Sequence, residues 1–370
     1  MRNVIFRLAN IEIPFFARIC KQGIRLLEDS IGRTIRPMQE TPGQPASSFQ
    51  NWHTVPVICV ILTAGLAGIG MLLFLTGEVA ISIGMIALTE LALAVLVLIG
   101  AGGWGHLLLC RIAPRRLGQG FYAIGAVAVG LWLLGMAWLV SGTFVGVPNM
   151  WISWAIVLAG VLLAGWAIRR VSLPPEALRH VRSWAYLWIP LAMIVAIWLV
   201  GALRPPGFIG KPDCYDVLEY HLQLPREFIT AARVSTLRHN VYSFYPQGVE
   251  MLSLMCMTLR GGAYEGVYLA TLMHGLFGLL MALAIWLYFH AEKKGSCGWF
   301  TAALLTTTPA LVYLSWLAFV ELAMLFYLAL AVLLFRTWLR EASRRAALWN
   351  GVFLGAACGV KYLAIAFIAG

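Results

Sequence analysis

The chain has 370 residues, of which 61% are hydrophobic and 12% charged, with 27 Lys and Arg against 16 Asp and Glu for a formal net charge of +11. A mean hydropathy of +0.82 excludes an ordinary soluble domain, since a bilayer core of about 30 Å asks for roughly 20 apolar residues per helical span and this chain has many such runs. Alternating strands of barrel type are absent, and the positive charge falls in short loops rather than on one stripe, which argues against both a β-barrel and a nucleic-acid partner. The expected fold class is therefore an all-α polytopic membrane protein.

Residues 1–52 read as a cytoplasmic basic segment and linker. Within it "IEIPFFARICKQGIRLL" has the composition of a helix lying on an anionic membrane face, or equally of a basic tail without fixed structure. "RPMQETPGQPASSFQ" reads as a flexible tether. No cleavable signal peptide is visible, so the first span is expected to serve as an uncleaved anchor. Nine spans follow from hydropathy: 56–76, 80–100, 119–140, 150–168, 184–203, 265–289, 298–314, 317–335 and 346–368. They divide the rest of the chain into a five-helix region over 53–203, a long loop over 204–264, and a four-helix region over 265–370. Arg111, Arg115 and Arg116 follow the second span, and Arg169, Arg170, Arg179 and Arg182 the fourth. Lys293 and Lys294 follow the sixth, and Arg336, Arg340, Arg344 and Arg345 the eighth. The alternate short loops "TGEVA" and "SGTFVGVPN" carry no Lys or Arg. This positive-inside pattern predicts a cytoplasmic N-terminus and an extracytoplasmic 204–264 loop.

The long loop opens with "RPPGFIGKPD", whose prolines and glycines end the fifth span. "CYDVLEYHLQL" has helical spacing, with Val217, His221 and Leu224 on one face and Asp216, Tyr220 and Gln223 on its neighbour. Pro225 predicts a kink at Leu224 and a second helix over "PREFITAARVS". "RHNVYSFYPQ" reads as a loop, and "GVEMLSLMCMTL" as an apolar helix too short to span comfortably. Short helices on the outer bilayer surface, with carboxylates held near the headgroups, suit chemistry on a lipid-linked substrate.

"DVLEYHLQLP", followed by "NVYSFYPQGVEML", resembles the first outer loop of bacterial membrane glycosyltransferases of the GT-C class. The likeness is to the dolichyl-phosphate-mannose-protein mannosyltransferase-like (family 39-like) group. "LAFVELAMLFYLAL" and "GVFLGAACGVKYLAIAF" resemble two later helices of the same group, and the likeness covers about residues 205–370. The resemblance implies transfer of a sugar from a polyprenyl-phosphate donor to an acceptor (glycan, lipid or protein) on the extracytoplasmic side of a bacterial inner membrane. It assigns Asp216 as the base that deprotonates the acceptor. Tyr245 and Pro246 fall on its aromatic-Pro element, Glu321 on its acidic helix start, and Lys361 on the lysine of its Gly-rich helix. Many members carry Asp-Glu where this chain has Asp216-Val217, so no metal cofactor is expected, and four spans precede those of the usual pattern. The chain ends inside the apolar run "AIAFIAG", which reads as a fragment lacking later spans.

Each residue also has a plainer reading. An Asp at a helix start caps backbone N–H groups, and this competes with catalysis for Asp216. Tyr220 and His221 either orient the base and contact sugar hydroxyls or anchor the loop at the headgroups. Arg204, Lys211, Arg226, Arg233 and Arg238 are phosphate partners or, more simply, headgroup contacts, and Asp213 and Glu219 read as solvated charges. Lys361, placed mid-span, is costly in a membrane and calls for a carboxylate partner or a donor phosphate. Glu90 and His274 read as polar contacts inside the bundle. The seven cysteines form no metal or disulfide framework, and a Cys214–Cys256 bridge is not expected. Two other functions remain: a transporter or flippase for a lipid-linked or polar substrate, which broken helices and an internal repeat would mark, and an inactive truncated relative.

Overall fold

A computed structural model describes residues 78–112, 118–168, 185–204, 206 and 211–369. The N-terminal segment 1–52, the expected span 56–76 and the arginine-rich loop after residue 168 lie outside the described residues. Among the described residues the chain is helical, without a named strand. The long helices are α1 (Glu78–Ile112), α2 (Gln119–Phe144), α3 (Met150–Ile168) and α4 (Ala185–Ala202). After the loop they resume as α8 (Ala263–Ala291), α9 (Gly295–Thr307), α10 (Pro309–Ser315), α11 (Glu321–Glu341), α12 (Arg344–Val360) and α13 (Ala364–Ala369). The loop itself folds as α5 (Lys211–Asp216), a π-helical segment (Val217–His221), α6 (Gln223–Thr230), a 3₁₀ turn (Val241–Phe244) and α7 (Glu250–Leu259).

Among the described residues five helices are long and apolar enough to cross a membrane, namely those at Gly84–Cys110, Gln119–Phe144, Met150–Ala167, Ala263–Ala291 and Glu321–Glu341. This is the architecture of an integral membrane protein. Of the nine expected spans, the described residues show five, or six with one bent pair taken together. The bent pair is α9 and α10, which replace the expected straight span 298–314 and meet at 66°. Pro309 has no N–H for the Leu305 carbonyl and holds Thr308 in extended backbone (φ −65°, ψ 118°), so Thr308 N–H closes the helix onto Leu305 instead. The expected span 346–368 is likewise broken, at Lys361, whose backbone is extended (φ −155°, ψ 136°). The Gly359 carbonyl, which a continuing helix would bond to residue 363, accepts the N–H of Gly248 at 3.0 Å. Lys361 therefore sits at a helix end rather than in mid-span.

Small residues let the first three long helices touch backbone to backbone. A Cβ on Gly130 would lie 1.7 Å from the Ala101 carbonyl oxygen, and one on Gly103 1.9 Å from that of Gly160. Such close packing replaces the hydrophobic drive that helices lack in lipid. Between these helices and α8 lies α7, all ten of whose residues are buried. At 1.5 Å per residue it spans about 15 Å, half a bilayer core, so it is enclosed by protein. The expectation of a loop lying wholly on the surface is corrected here: α7, apolar except near its ends, gains more by entering the bundle.

The polar ends of α7 are matched to partners. Thr258 accepts hydrogen bonds from Trp138 Nε1 (3.1 Å) and Ser153 Oγ (3.0 Å). Beyond the helix, Arg260 lies 3.1 Å from Glu90, which is buried in α1 as an interior polar residue. The guanidinium is about one-third exposed, with a side-chain accessibility of 34%. Replacing Arg260 with Met strands the Glu90 carboxylate, and the expected loss is about 2–3 kcal/mol, below the figure for a fully buried pair. Thermal unfolding in detergent checks this, with Glu90→Gln/Arg260→Met recovering most of the loss.

The bundle has two chemically different ends. At one, Glu292 after α8 pairs with Arg336 (2.9 Å) and with Arg340 of α11, close to Lys293, Lys294, Arg344 and Arg345 in sequence. Gly118, at the start of α2, packs against Ala291 at this same end. At the other end the 204–264 loop meets the C-terminus of α2, where Val234 N–H donates to Gly142 (2.9 Å) and Val147 N–H to Ala232 (3.0 Å). The N-terminus of α11 and the C-terminus of α12 lie there too, since their terminal residues Glu321 and Lys361 are paired.

Candidate functional site

Pro225 shapes this end, though not as a break at Leu224. Lacking an N–H, it leaves the His221 carbonyl without its i+4 donor, and its ring crowds that carbonyl. The backbone answers with a wider turn: Leu222 N–H donates to Val217, five residues back, at 3.0 Å. The break is therefore a π segment upstream of the proline, and α6 runs Gln223–Thr230 with Pro225 in its first turn, where a proline is tolerated. Single-turn π segments of this kind are frequent at functional sites. Here the wide turn buries Tyr220 and His221 together with Val217.

Asp216 ends α5 in right-handed helical backbone (φ −60°, ψ −37°) and makes no side-chain cap hydrogen bond. The capping alternative therefore does not describe it. It is half-buried, and its electrostatic neighbours are the phenols of Tyr220 and Tyr242. The Tyr220 ring stacks on Tyr242 at 4.4 Å and 17°, and lies 3.9 Å from the His221 ring. Burial pushes the Tyr220 phenol up, and the charges of Asp216, Glu250 and Glu321 push it further. Tyr242 is raised by desolvation and by a hydrogen bond with Tyr215. Both phenols thus stay protonated and able to donate at neutral pH.

His221 is not a headgroup anchor. It is 1% exposed, and its Nδ1 lies 2.6 Å from Oε1 of Glu250, which is also 1% exposed. Its ring stands 6.5 Å from that of His274 and 6.0 Å from that of Phe319. His274 is interior as expected, with Nδ1–H donating to the Phe319 carbonyl at 3.1 Å and Nε2 at 2.9 Å from Ser253 Oγ. Glu250 was not singled out from the sequence. The available signal was a carboxylate inside the apolar run "GVEMLSLMC", where a charge needs a partner.

Glu321 opens α11 and Lys361 closes α12, each at the helix end that favours its charge, and they meet at 2.5 Å. The aromatic-Pro element lies beside them. Tyr245 is exposed, edge-on to Tyr242 (5.6 Å) and to Tyr362 (6.2 Å), the residue after Lys361. Tyr245 is extended (φ −86°, ψ 165°), as a residue before proline prefers, and half-exposed Pro246 leads the chain from the 3₁₀ turn into α7. Asn240 caps that turn at Tyr242 N–H (3.1 Å) and donates to the Glu219 carbonyl (2.9 Å), tying it to the π segment. Asp216, Tyr220, His221, Tyr245, Pro246, Glu321 and Lys361 are thus brought to one end of the bundle from segments far apart in the chain.

The remaining residues separate. Arg204 stacks over Trp316 (4.8 Å) and Arg226 over Tyr264 (5.3 Å). Arg233, Arg238 and Glu219 are exposed, and the side chains of Lys211 and Asp213 lie outside the described set. Cys214 and Cys256 are buried and free. Among the described residues no three His, Cys, Asp or Glu side chains are grouped to hold a metal. Comparison of the chain with protein-family models, with curated proteins and with solved structures found no match.

Proposed function

We propose that this chain is a membrane glycosyltransferase that moves a sugar from a polyprenyl-phosphate donor to an acceptor, with Asp216 as general base. The observation that carries it is the state of Asp216: a half-buried carboxylate that caps nothing, beside a phenol also influenced by Glu321, the partner of Lys361. The acceptor oxygen bonds to the anomeric carbon as Asp216 takes its proton. The bond from that carbon to the phosphate oxygen breaks, and polyprenyl phosphate leaves with the bonding pair and its negative charge. Lys361 supplies positive charge on the leaving-group side, held in place by Glu321. Tyr245 and Tyr362 flank that position, and Pro246 sets the direction of the segment.

On this reading the loop end is extracytoplasmic and the Arg- and Lys-rich end cytoplasmic, as the positive-inside pattern asks. The N-terminus is cytoplasmic, the membrane is a bacterial inner membrane, and the fold is GT-C-like with further spans completing the nine. The resemblance of the loop and of the two later helices supports this reading.

A second reading, transport of a lipid-linked or polar substrate, draws on the broken helices. The 66° bend at Thr308–Pro309, the enclosed half-length α7 and the break at Lys361 are features that transporters use. Proteoliposomes given labelled polyprenyl-phosphate sugars separate the two. Transfer releases polyprenyl phosphate when an acceptor is present, whereas transport moves the intact lipid or its head group across the bilayer. Lys361→Met tests the assigned charge. Its pair with Glu321 is about one-third exposed, so stability is expected to fall by no more than about 1 kcal/mol. Transfer is expected to fall by about 10²-fold, as a leaving-group charge removed from the transition state requires. The single-turnover rate and the unfolding midpoint of the same preparation check both.

A further inference from the structure

Four polar side-chain atoms in the interior of this end have no hydrogen-bond partner: His221 Nε2, Gln247 Oε1, Glu250 Oε2 and Glu321 Oε2. Two of them belong to side chains that are almost fully buried, His221 and Glu250, each 1% exposed. They are neighbours. Glu250 holds His221 at 2.6 Å, and Gln247 precedes Glu250 by three residues, one helical turn. Phe319, two residues before Glu321, places its ring 6.0 Å from His221, and Tyr220 lies in the field of both Glu250 and Glu321. The His221–Glu250 contact, and the field of Glu250 and Glu321 at Tyr220 beside Asp216, tie these residues to one part of the loop end, and Gln247 joins them one turn before Glu250.

Their chemistry is one-sided. Gln247 Nε2 donates to the Ser243 carbonyl at 2.7 Å, which fixes Oε1 as the bare acceptor. Glu250 Oε1 is taken by His221 and Glu321 Oε1 by Lys361, so Oε2 of each is left to accept. With the Nδ1 hydrogen directed at Glu250, His221 Nε2 accepts, or donates when the ring is doubly protonated. An unsatisfied buried acceptor is costly, more so on a carboxylate, and three of them in one part of the fold call for a ligand rich in donors. A metal ion suits this set poorly, because the described residues gather no three metal-ligating side chains. Both carboxylates also already have a cationic or imidazole partner. Neighbouring hydroxyls on one ring each donate one hydrogen bond and keep lone pairs for a donor such as Tyr220 or the imidazole.

We infer that Gln247, Glu250 and Glu321, with His221, form a buried subsite for the hydroxyl groups of a monosaccharide. This deepens the proposed function by locating the donor sugar, and it depends on that reading only for the lipid to which the sugar is attached. The test uses the purified full chain in detergent and two sets of probes. Tryptophan fluorescence gives the affinity for undecaprenyl phosphate and for the same lipid carrying mannose, glucose, galactose or arabinose. Thermal unfolding follows the four free sugars against a polyethylene glycol control.

The wild-type chain is expected to bind at least one sugar-linked lipid about tenfold more tightly than the bare lipid, as hydrogen bonds to charged acceptors provide. The matching free sugar is expected to raise the unfolding midpoint. Glu250→Gln turns one acceptor into a donor while keeping an acceptor for His221, and it should remove the preference without changing affinity for the bare lipid. Gln247→Leu, on a half-exposed side chain, gives the same readout should Glu250→Gln fail to fold. Asp216→Asn is expected to keep the preference, which separates the subsite from the base. A preference kept by Asp216→Asn in a chain without transfer activity still supports the subsite. Equal affinities together with no effect of any free sugar overturn it, as does a preference retained in Gln247→Leu. Stabilisation by a divalent cation alone also overturns it, in favour of an ion.

Discussion

Replacing Asp216 with Asn is expected to slow sugar transfer by about 10²–10⁴-fold, the range a positioned general base contributes. Stability is expected to change by less than about 0.5 kcal/mol. The two halves of this result depend on each other. A helix-capping Asp would cost about 1 kcal/mol when its acceptor is weakened, and activity would fall only through unfolding. The Asp216 side chain makes no such cap bond, so its loss removes a proton acceptor and little else. Asp216→Glu offers a further check. It keeps the carboxylate but moves it by one methylene, and it should retain measurable transfer where Asn does not. Rates under single turnover, with the unfolding midpoint of each variant, decide the matter.

The largest stability effect is expected at Glu250. Its contact with His221 is short and nearly dry, so Glu250→Ala leaves an imidazole buried with no acceptor at Nδ1. Breaking such a pair by removing one partner costs roughly 3–5 kcal/mol, whichever group holds the shared proton. Glu250→Gln preserves an acceptor for Nδ1–H and is expected to cost about 1–2 kcal/mol. His221→Phe/Glu250→Leu, which removes both polar groups, should recover most of the loss in stability while abolishing transfer. Chemical or thermal unfolding in one detergent, compared across the three variants, measures the coupling. An additive double variant would mean that the two side chains do not depend on each other.

What was legible from the residues differs between fold and site. Long apolar runs state their own structure, because a helix that satisfies its backbone internally is the simplest solution for such a run in lipid. The helices at Gln119–Phe144 and Ala263–Ala291 accordingly appear where hydropathy placed them, and Glu321–Glu341 lies a few residues further along than its expected span. The errors fall where a tertiary partner competes for the backbone. Gly248 takes the Gly359 carbonyl and breaks a span at Lys361, an event no local pattern around residue 361 encodes. At Pro309 the signal was present, since a proline inside an apolar run announces a bend, and the hydropathy reading passed over it.

In the site, the short-range chemistry was readable and the long-range pairing was not. Pro225 marked a disturbed helix, but the cost of its missing N–H appears at the His221 carbonyl, so the break lies further upstream than Leu224, where it was expected. Glu321 stood out through the resemblance and Lys361 also as a charge inside an apolar run, although their pairing across forty residues became visible only in three dimensions. Of the two readings left open for His221, burial removes the headgroup anchor, while its partner Glu250, twenty-nine residues away, was not visible in the local pattern. Once that pair is known, the π segment and α7 read as packed into the bundle, while other parts of the loop stay exposed.

The central claim is that Asp216 activates an acceptor for attack on a polyprenyl-phosphate sugar. Its most direct measurement follows a lipid donor labelled with carbon-13 at the anomeric position, in proteoliposomes with wild-type and Asp216→Asn chains. The predicted result is acceptor-dependent release of polyprenyl phosphate by the wild type, with the product anomer inverted and the rate at least about a hundredfold lower in Asp216→Asn. Equal rates in the two chains would contradict it, as would movement of the labelled lipid across the bilayer with its glycosyl–phosphate bond intact.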